Sequence, residues 1–186
     1  LEERGNKLIQ RMTNLLELNK KFNTDKGGKH CYLQEYYQPK FSPIKENTKK
    51  ILEIGVYEGA SIKLWKDFFD NAEIYALEIL QKRAGMFTGD HRVNLIIGSS
   101  TEQESYKNIP FDIDIIIDDG SHRPEDQYRT FLNAYKHLKQ GGIYIIEDVR
   151  DIDNLKSLMH EYKGQLEIFD YRNLAEPDTV IFEIKK

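Results

Sequence analysis

Apolar positions along this chain fall into short runs that alternate with helical stripes. "KKILEIGV" (49–56), "AEIYALEI" (72–79), "VNLIIGS" (93–99), "IDIIIDD" (113–119) and "GGIYIIEDV" (141–149) are runs of strand length, rich in isoleucine. Between them, "GASIKLWKDFF" (59–69) carries Ile62, Trp65 and Phe69 on one helical face. "PEDQYRTFLNAYKHLK" (124–139) reads as a helix that opens with proline, which a first turn tolerates. A weaker helix is expected near 81–87 and another over "DIDNLKSLMHEYK" (151–163). "QLEIFDYR" and "DTVIFEIKK" read as two closing strands around the turn "NLAEPD". Strands separated by helices predict a parallel sheet covered on both faces, so its strands are apolar throughout. The last two strands are joined too tightly for a parallel crossover and must be antiparallel. The expected fold is α/β, a doubly wound, mostly parallel seven-stranded sheet with an antiparallel C-terminal hairpin.

Ahead of the alternation, Leu8, Met12, Leu15, Leu16 and Phe22 stand near helical spacing. An aromatic, turn-rich connection follows, "NTDKGGKHCYLQEYYQPKFSPIKENTK", with one short helix expected around Tyr32–Tyr37. The chain divides into an N-terminal helix and covering segment (1–47) and a sheet core (48–186), within one domain. Its 186 residues suffice for a sizeable core. The formal net charge of -4 offers no basic footprint for nucleic acid. The lone Cys31 excludes an internal disulfide framework and fits a reducing, cytoplasmic compartment. No apolar run reaches the roughly 18 residues of a membrane span, and no signal peptide is visible. The first residue is Leu1 rather than Met, which leaves an upstream domain open, as the pattern leaves a homo-oligomer open.

Doubly wound sheets bind ligands beyond the carboxyl ends of their strands. The first strand ends "LEIGVYEG", placing Glu53, Gly55 and Gly59 there, and the helix start near Ser61 offers free N–H groups. Glu78 ends the second strand, roughly 20 residues beyond the glycine turn, where an acid suits the two hydroxyls of a ribose. Tyr57 stands where a dinucleotide fingerprint has its middle glycine, which argues against a nicotinamide cofactor. "IDIIIDDGSH" ends the fourth strand in Asp118 and Asp119, which alternation sends to opposite faces, and His122 follows. Glu147 and Asp148 end the fifth strand. Acid pairs meeting at one sheet edge repel unless a cation binds them, and Mg²⁺ takes hard oxygen ligands. Plain structure offers another reading: helix caps and N-terminal charges at both acid pairs, and a turn contact at His122.

"ILEIGVYEGAS", "IYALEI", "IDIIIDDGSH" and "LKQGGIYIIEDV" stand in the order and spacing of class I S-adenosylmethionine-dependent methyltransferases, a Rossmann-like family. "NTDKGGKHCYLQEYYQPKF" followed by "LEIGVYEGASIKLWKDFF" resembles, more narrowly, the macrocin and mycinamicin type of sugar O-methyltransferases. The resemblance spans about residues 22–150. It implies S-adenosylmethionine and Mg²⁺ as cofactors, and a sugar or glycosylated natural product as acceptor; the lack of a large insertion to form a lid also allows a bulky acceptor such as a surface polysaccharide precursor. The resemblance implies metal ligands at Asp119, Glu147 and Asp148, with His122 as general base. The cofactor contacts to expect are Glu53, Gly55, Gly59, Ser61 and Glu78, with Asp118 left free to approach the cofactor. Glu78 stands where aspartate is commoner, and "GSSTE" (98–102) lacks the acid that often follows the third strand, so Ser99 becomes the candidate near the adenine. Two rivals keep the cofactor site: a metal-independent small-molecule methyltransferase and a non-catalytic cofactor-binding module. His30, Tyr32, Tyr36 and Tyr37 read as acceptor-pocket lining or as an aromatic cover on the core. His91, His137 and His160 are assigned no function.

Overall fold

The structure, a computed structural model, describes residues 14–186. The helical positions Leu8 and Met12 lie outside the described residues. Helix α1 (Leu15–Phe22) is capped by the Asn14 side chain, which accepts from the Leu16 amide. The aromatic connection forms a π-helical turn, Leu33–Tyr37, that runs into α2 (Gln38–Phe41). The alternating part follows as β1 (Lys50–Ile54), α3 (Ala60–Phe68), β2 (Glu73–Glu78), β3 (Val93–Ile97), β4 (Ile113–Asp118), α4 (Pro124–Ala134), β5 (Leu138–Ile146), α5 (Ile152–Leu158), β6 (Leu166–Asp170) and β7 (Val180–Lys185).

The seven strands form one sheet in the order β3-β2-β1-β4-β5-β7-β6. The pairs among β1 to β5 are parallel, and β7 runs antiparallel between β5 and β6. Two elements differ from expectation. The 81–87 segment makes only a 3-10 turn, Gln81–Arg83, because glycines at 85 and 89 and the lack of an apolar stripe give a helix nothing to bury. β5 begins at Leu138, within the stretch expected to be the end of α4, because Leu138 pairs with Ile113 ahead of a register shift.

Strand alternation gives the sheet two faces. Ile51, Ile115, Ile117, Ile145 and Ile181 pack with Trp65 and Phe68 of α3 and with Tyr37 and Phe41 of the N-terminal segment. Leu52, Ile54, Ile116, Ile146 and Phe182 pack on the other side with Phe131 of α4 and Leu155 of α5. The same two-residue period sets Glu53, Glu147 and Glu183 among the isoleucines of the first face, where all three are buried. Buried acids need partners. Over Glu183 the N-terminal segment supplies them: the Tyr36 hydroxyl donates to it at 2.5 Å, and Lys40 Nζ lies 2.9 Å away.

His137, assigned no function, is a fold residue. It is buried, stacks on Phe111 at 4.4 Å, and holds Nδ1 3.0 Å from the Ile109 carbonyl oxygen. Burial keeps its pKa below the ordinary value. The unfolded chain therefore takes up a proton near pH ~6.5 that the folded ring still refuses, so stability falls as the pH drops through that value. Chemical denaturation at pH 7.5 and pH 5.5 should show this loss in the wild type and a smaller one in His137→Phe. Equal losses in the two proteins would place the titration elsewhere.

Candidate active site

The carboxyl ends of β1, β2 and β4 open onto a cleft of 1090 Å³, lined among others by Gly55, Tyr57, Ser61, Glu78, Ser99, Asp119, His122 and Asp148. At one end, Gly55 sits at φ +89, and a Cβ there would run into the carbonyl oxygen of Asp119. Only glycine lets the chain leave β1 so close to the end of β4. Gly59 shapes the loop from behind the cleft: at φ +73 it opens α3, and a Cβ would lie 2.7 Å from the Phe87 ring. Glu78 holds the loop between them. Its Oε2 accepts from the amides of Val56 and Tyr57, both at 3.0 Å, and its Oε1 from the Leu80 amide at 2.8 Å. A carboxylate offers about four acceptor sites, so one remains for a ligand hydroxyl. Ser99 reaches the cleft with its hydroxyl paired to Thr101 at 2.9 Å.

Gly59, expected at the cofactor, is thus outside the cleft lining, and two more residues expected there lie elsewhere. Glu53 is buried beneath the cleft, where Ser61 donates to its Oε2 at 3.0 Å and burial raises its pKa to about 7. Asp118 does not line the cleft either. The last step of β4 turns it to the α4 face, beside the Gly120 amide at 3.3 Å and the Tyr144 hydroxyl at 3.4 Å. Burial there pushes its pKa up to about 8.

At the other end, Asp119, His122 and Asp148 each bring a ligand atom within 4.8 Å of the others. His122 Nδ1 lies 3.9 Å from Asp148 Oδ2 and is buried without a hydrogen-bond partner. Asp148 sits at φ +52, a conformation that costs a non-glycine residue about 1–3 kcal/mol and concentrates at functional sites. Burial, then the charge of Asp119, raises its pKa. Glu147, expected beside these residues as a ligand, is turned away from the cleft. One residue earlier on the chain, it points beneath the sheet edge, where the Tyr37 hydroxyl donates to Oε1 and Lys26 Nζ lies 2.5 Å from Oε2.

Lys26 is the residue that sequence reasoning missed. Its side chain is 2% exposed, and its Nζ lies 2.6 Å from Asp119 Oδ2 and 3.7 Å from Glu53 Oε1 as well. Burial pulls the ammonium pKa down, but Asp119, Glu147 and Glu53 together outweigh it and hold the group well above its ordinary range. One cation serves three acids, and burial raises the pKa of Glu147 well above the usual range. The sequence signalled the need for a counter-ion, through Glu53 on the inward face of β1 and Glu147 just beyond β5, but not which residue supplies it. The aromatic residues resolve as a cover. Tyr32, Tyr36 and Tyr37 are buried, whereas His30 reaches the cleft.

A family profile described as a methyltransferase domain matches residues 52–149. The mycinamicin VI 2''-O-methyltransferase of Micromonospora griseorubida is 32% identical over 151 residues, 75% of this chain and 37% of that protein. The demethylmacrocin O-methyltransferase of Streptomyces fradiae is 30% identical over 147 residues, 73% of this chain and 36% of that protein. The chain thus spans little more than a third of the curated relatives it matches. Among solved structures, a MycE methyltransferase from the mycinamycin biosynthetic pathway in complex with Mg and SAH superposes with a TM-score of 0.73 at 25% identity. That match covers 93% of this chain and 54% of the other.

Lys26→Met strands the buried acids Glu53 and Glu147 and removes the partner of the partly exposed Asp119. Removing one partner of a buried ion pair costs about 3–5 kcal/mol, and urea unfolding should show a loss of that order. Lys26→Met/Glu147→Gln should recover part of it. A loss below about 1 kcal/mol, the range of surface pairs, would show that protons, not Lys26, neutralise the cluster.

Proposed function

The chain belongs to the methyltransferase-domain family, and on that premise we propose that it transfers the methyl group of S-adenosylmethionine to a hydroxyl of a glycosylated small molecule, assisted by Mg²⁺. One juxtaposition carries the reading: a single cleft joins the Gly55–Glu78 loop to the trio Asp119, His122 and Asp148. The relatives are named as O-methyltransferases, and the similar solved structure holds Mg and SAH. The volume is ample for a cofactor and part of an acceptor.

Each residue then has a task. The spare acceptor site of Glu78 takes a ribose hydroxyl, the glycine loop admits the methionine end, and Ser99 lies on the adenine side. Asp119 and Asp148 offer hard oxygen donors, and that pair fits a hard divalent cation. Such an ion supplies Lewis acidity that lowers the pKa of a nearby hydroxyl. His122 takes the acceptor proton, and Asp148, on its Nδ1 side, stabilises the imidazolium that forms. S-adenosylmethionine held by the Gly55–Glu78 loop would supply an electrophilic methyl group to the deprotonated acceptor oxygen, and the protein's main contribution would be alignment. The net charge of -4 favours such an acceptor over nucleic acid. Among the described residues no helix is long and apolar enough to cross a membrane.

A metal-independent transfer has one observation behind it. Lys26 already neutralises Asp119 from within, which reduces the need for a second cation. Chelation separates the two readings. EDTA should abolish turnover on glycosylated acceptors and Mg²⁺ restore it; turnover that persists in EDTA favours the second. His122→Ala should lower kcat by on the order of 10²–10⁴, the usual range for a positioned base, less so at high pH, with SAH affinity by calorimetry unchanged. Normal turnover in that variant would remove His122 as the base.

A further inference from the structure

We propose that Tyr32 is a positioning residue for Asp148, a clamp that aims one carboxylate oxygen into the cleft. The inference rests on the proposed function, in which Asp148 serves the ion and His122. The Tyr32 hydroxyl donates to Asp148 Oδ1 at 2.7 Å and accepts from the Asp148 amide at 3.3 Å. One oxygen atom thus fixes both the side chain and the backbone of a residue held at φ +52. The clamp is itself held rigidly. Tyr32 is 0% exposed, and its ring stacks on His30 at 5.4 Å with 11° between the planes. His30 Nδ1 is anchored 3.0 Å from Thr179 Oγ1, next to the start of β7. With Oδ1 tied down, Oδ2 faces His122. Without the hydroxyl, Oδ1 is free to swing toward His30 Nδ1, now 3.7 Å away, and the strained backbone is free to relax.

Tyr32→Phe deletes the clamp and keeps the ring. Tyr36→Phe is the matched control, since it deletes a buried hydroxyl from the same segment whose partner, Glu183, is not in the site. Mn²⁺, a hard cation standing in for Mg²⁺, is titrated by electron paramagnetic resonance into wild type and both variants. Partners that orient a ligand are worth about 10–100-fold in metal affinity, so Tyr32→Phe should weaken Mn²⁺ binding by that factor. Tyr36→Phe should not, and SAH affinity by calorimetry should be unchanged in both. Unchanged Mn²⁺ affinity in Tyr32→Phe, or equal weakening in Tyr36→Phe, overturns the clamp. Wild-type protein that binds no Mn²⁺ removes the metal from the proposed function instead, and the clamp is then decided by turnover. A tenfold or greater fall in kcat confined to Tyr32→Phe, with KM unchanged, supports it; an unchanged kcat overturns it.

Discussion

The ammonium of Lys26 is the charge on which this architecture turns. A parallel sheet brings the ends of its central strands together, and the period of two residues sends Glu53, Asp119 and Glu147 toward the same side. Glu53 and Glu147 lose their hydration and are repelled by the partly exposed Asp119, a cost of several kcal/mol per buried ion unless a cation is close. Lys26 lies 2.6 Å from Asp119 and 2.5 Å from Glu147, and it comes from the N-terminal segment rather than from the sheet. The covering segment is therefore held to the core by charge as well as by apolar packing. Its tyrosines repeat the device: each buries a ring and ends its hydroxyl on an acid, Tyr32 on Asp148, Tyr36 on Glu183 and Tyr37 on Glu147.

Each adjacent acid pair divides its labour. Asp118 turns to the α4 face and Asp119 to the cleft. Glu147 turns to Lys26, and Asp148 reaches the cleft because its left-handed backbone re-aims the chain just beyond β5. One member of each pair is turned into the protein while the other faces the cleft. Gly55 ties the two ends of the cleft together, since its missing Cβ is what lets the loop after β1 lie against the Asp119 carbonyl.

The strands were legible because a doubly covered sheet needs continuous apolar runs, and the helices between them carry clear stripes. Boundaries were less so. Leu138 looks like the end of a helical pattern, and only its pairing with Ile113 makes it strand. Asp119, His122, Glu78 and Gly55, which share one cleft, stood out because strand ends and glycine turns have local signatures. Lys26 did not, because its partners lie 93 and 121 residues away, a separation that no local pattern spans. Asp118 and Glu147 were misplaced for a different reason. Alternation says that neighbours diverge, but not which neighbour meets the ligand.

The role of Lys26 is open to direct measurement. Burial alone would make its ammonium release a proton more readily than a surface lysine, whereas the three carboxylates make it hold the proton more tightly. With ¹⁵N-labelled lysine and the Lys26 signal assigned by its loss in Lys26→Met, a titration of the side-chain nitrogens separates the two. The expected result is that Lys26 stays protonated to a pH at which the surface lysines have already lost their charge. Titration of Lys26 below the surface lysines would contradict the account, because the acid cluster would then lack its internal counter-ion.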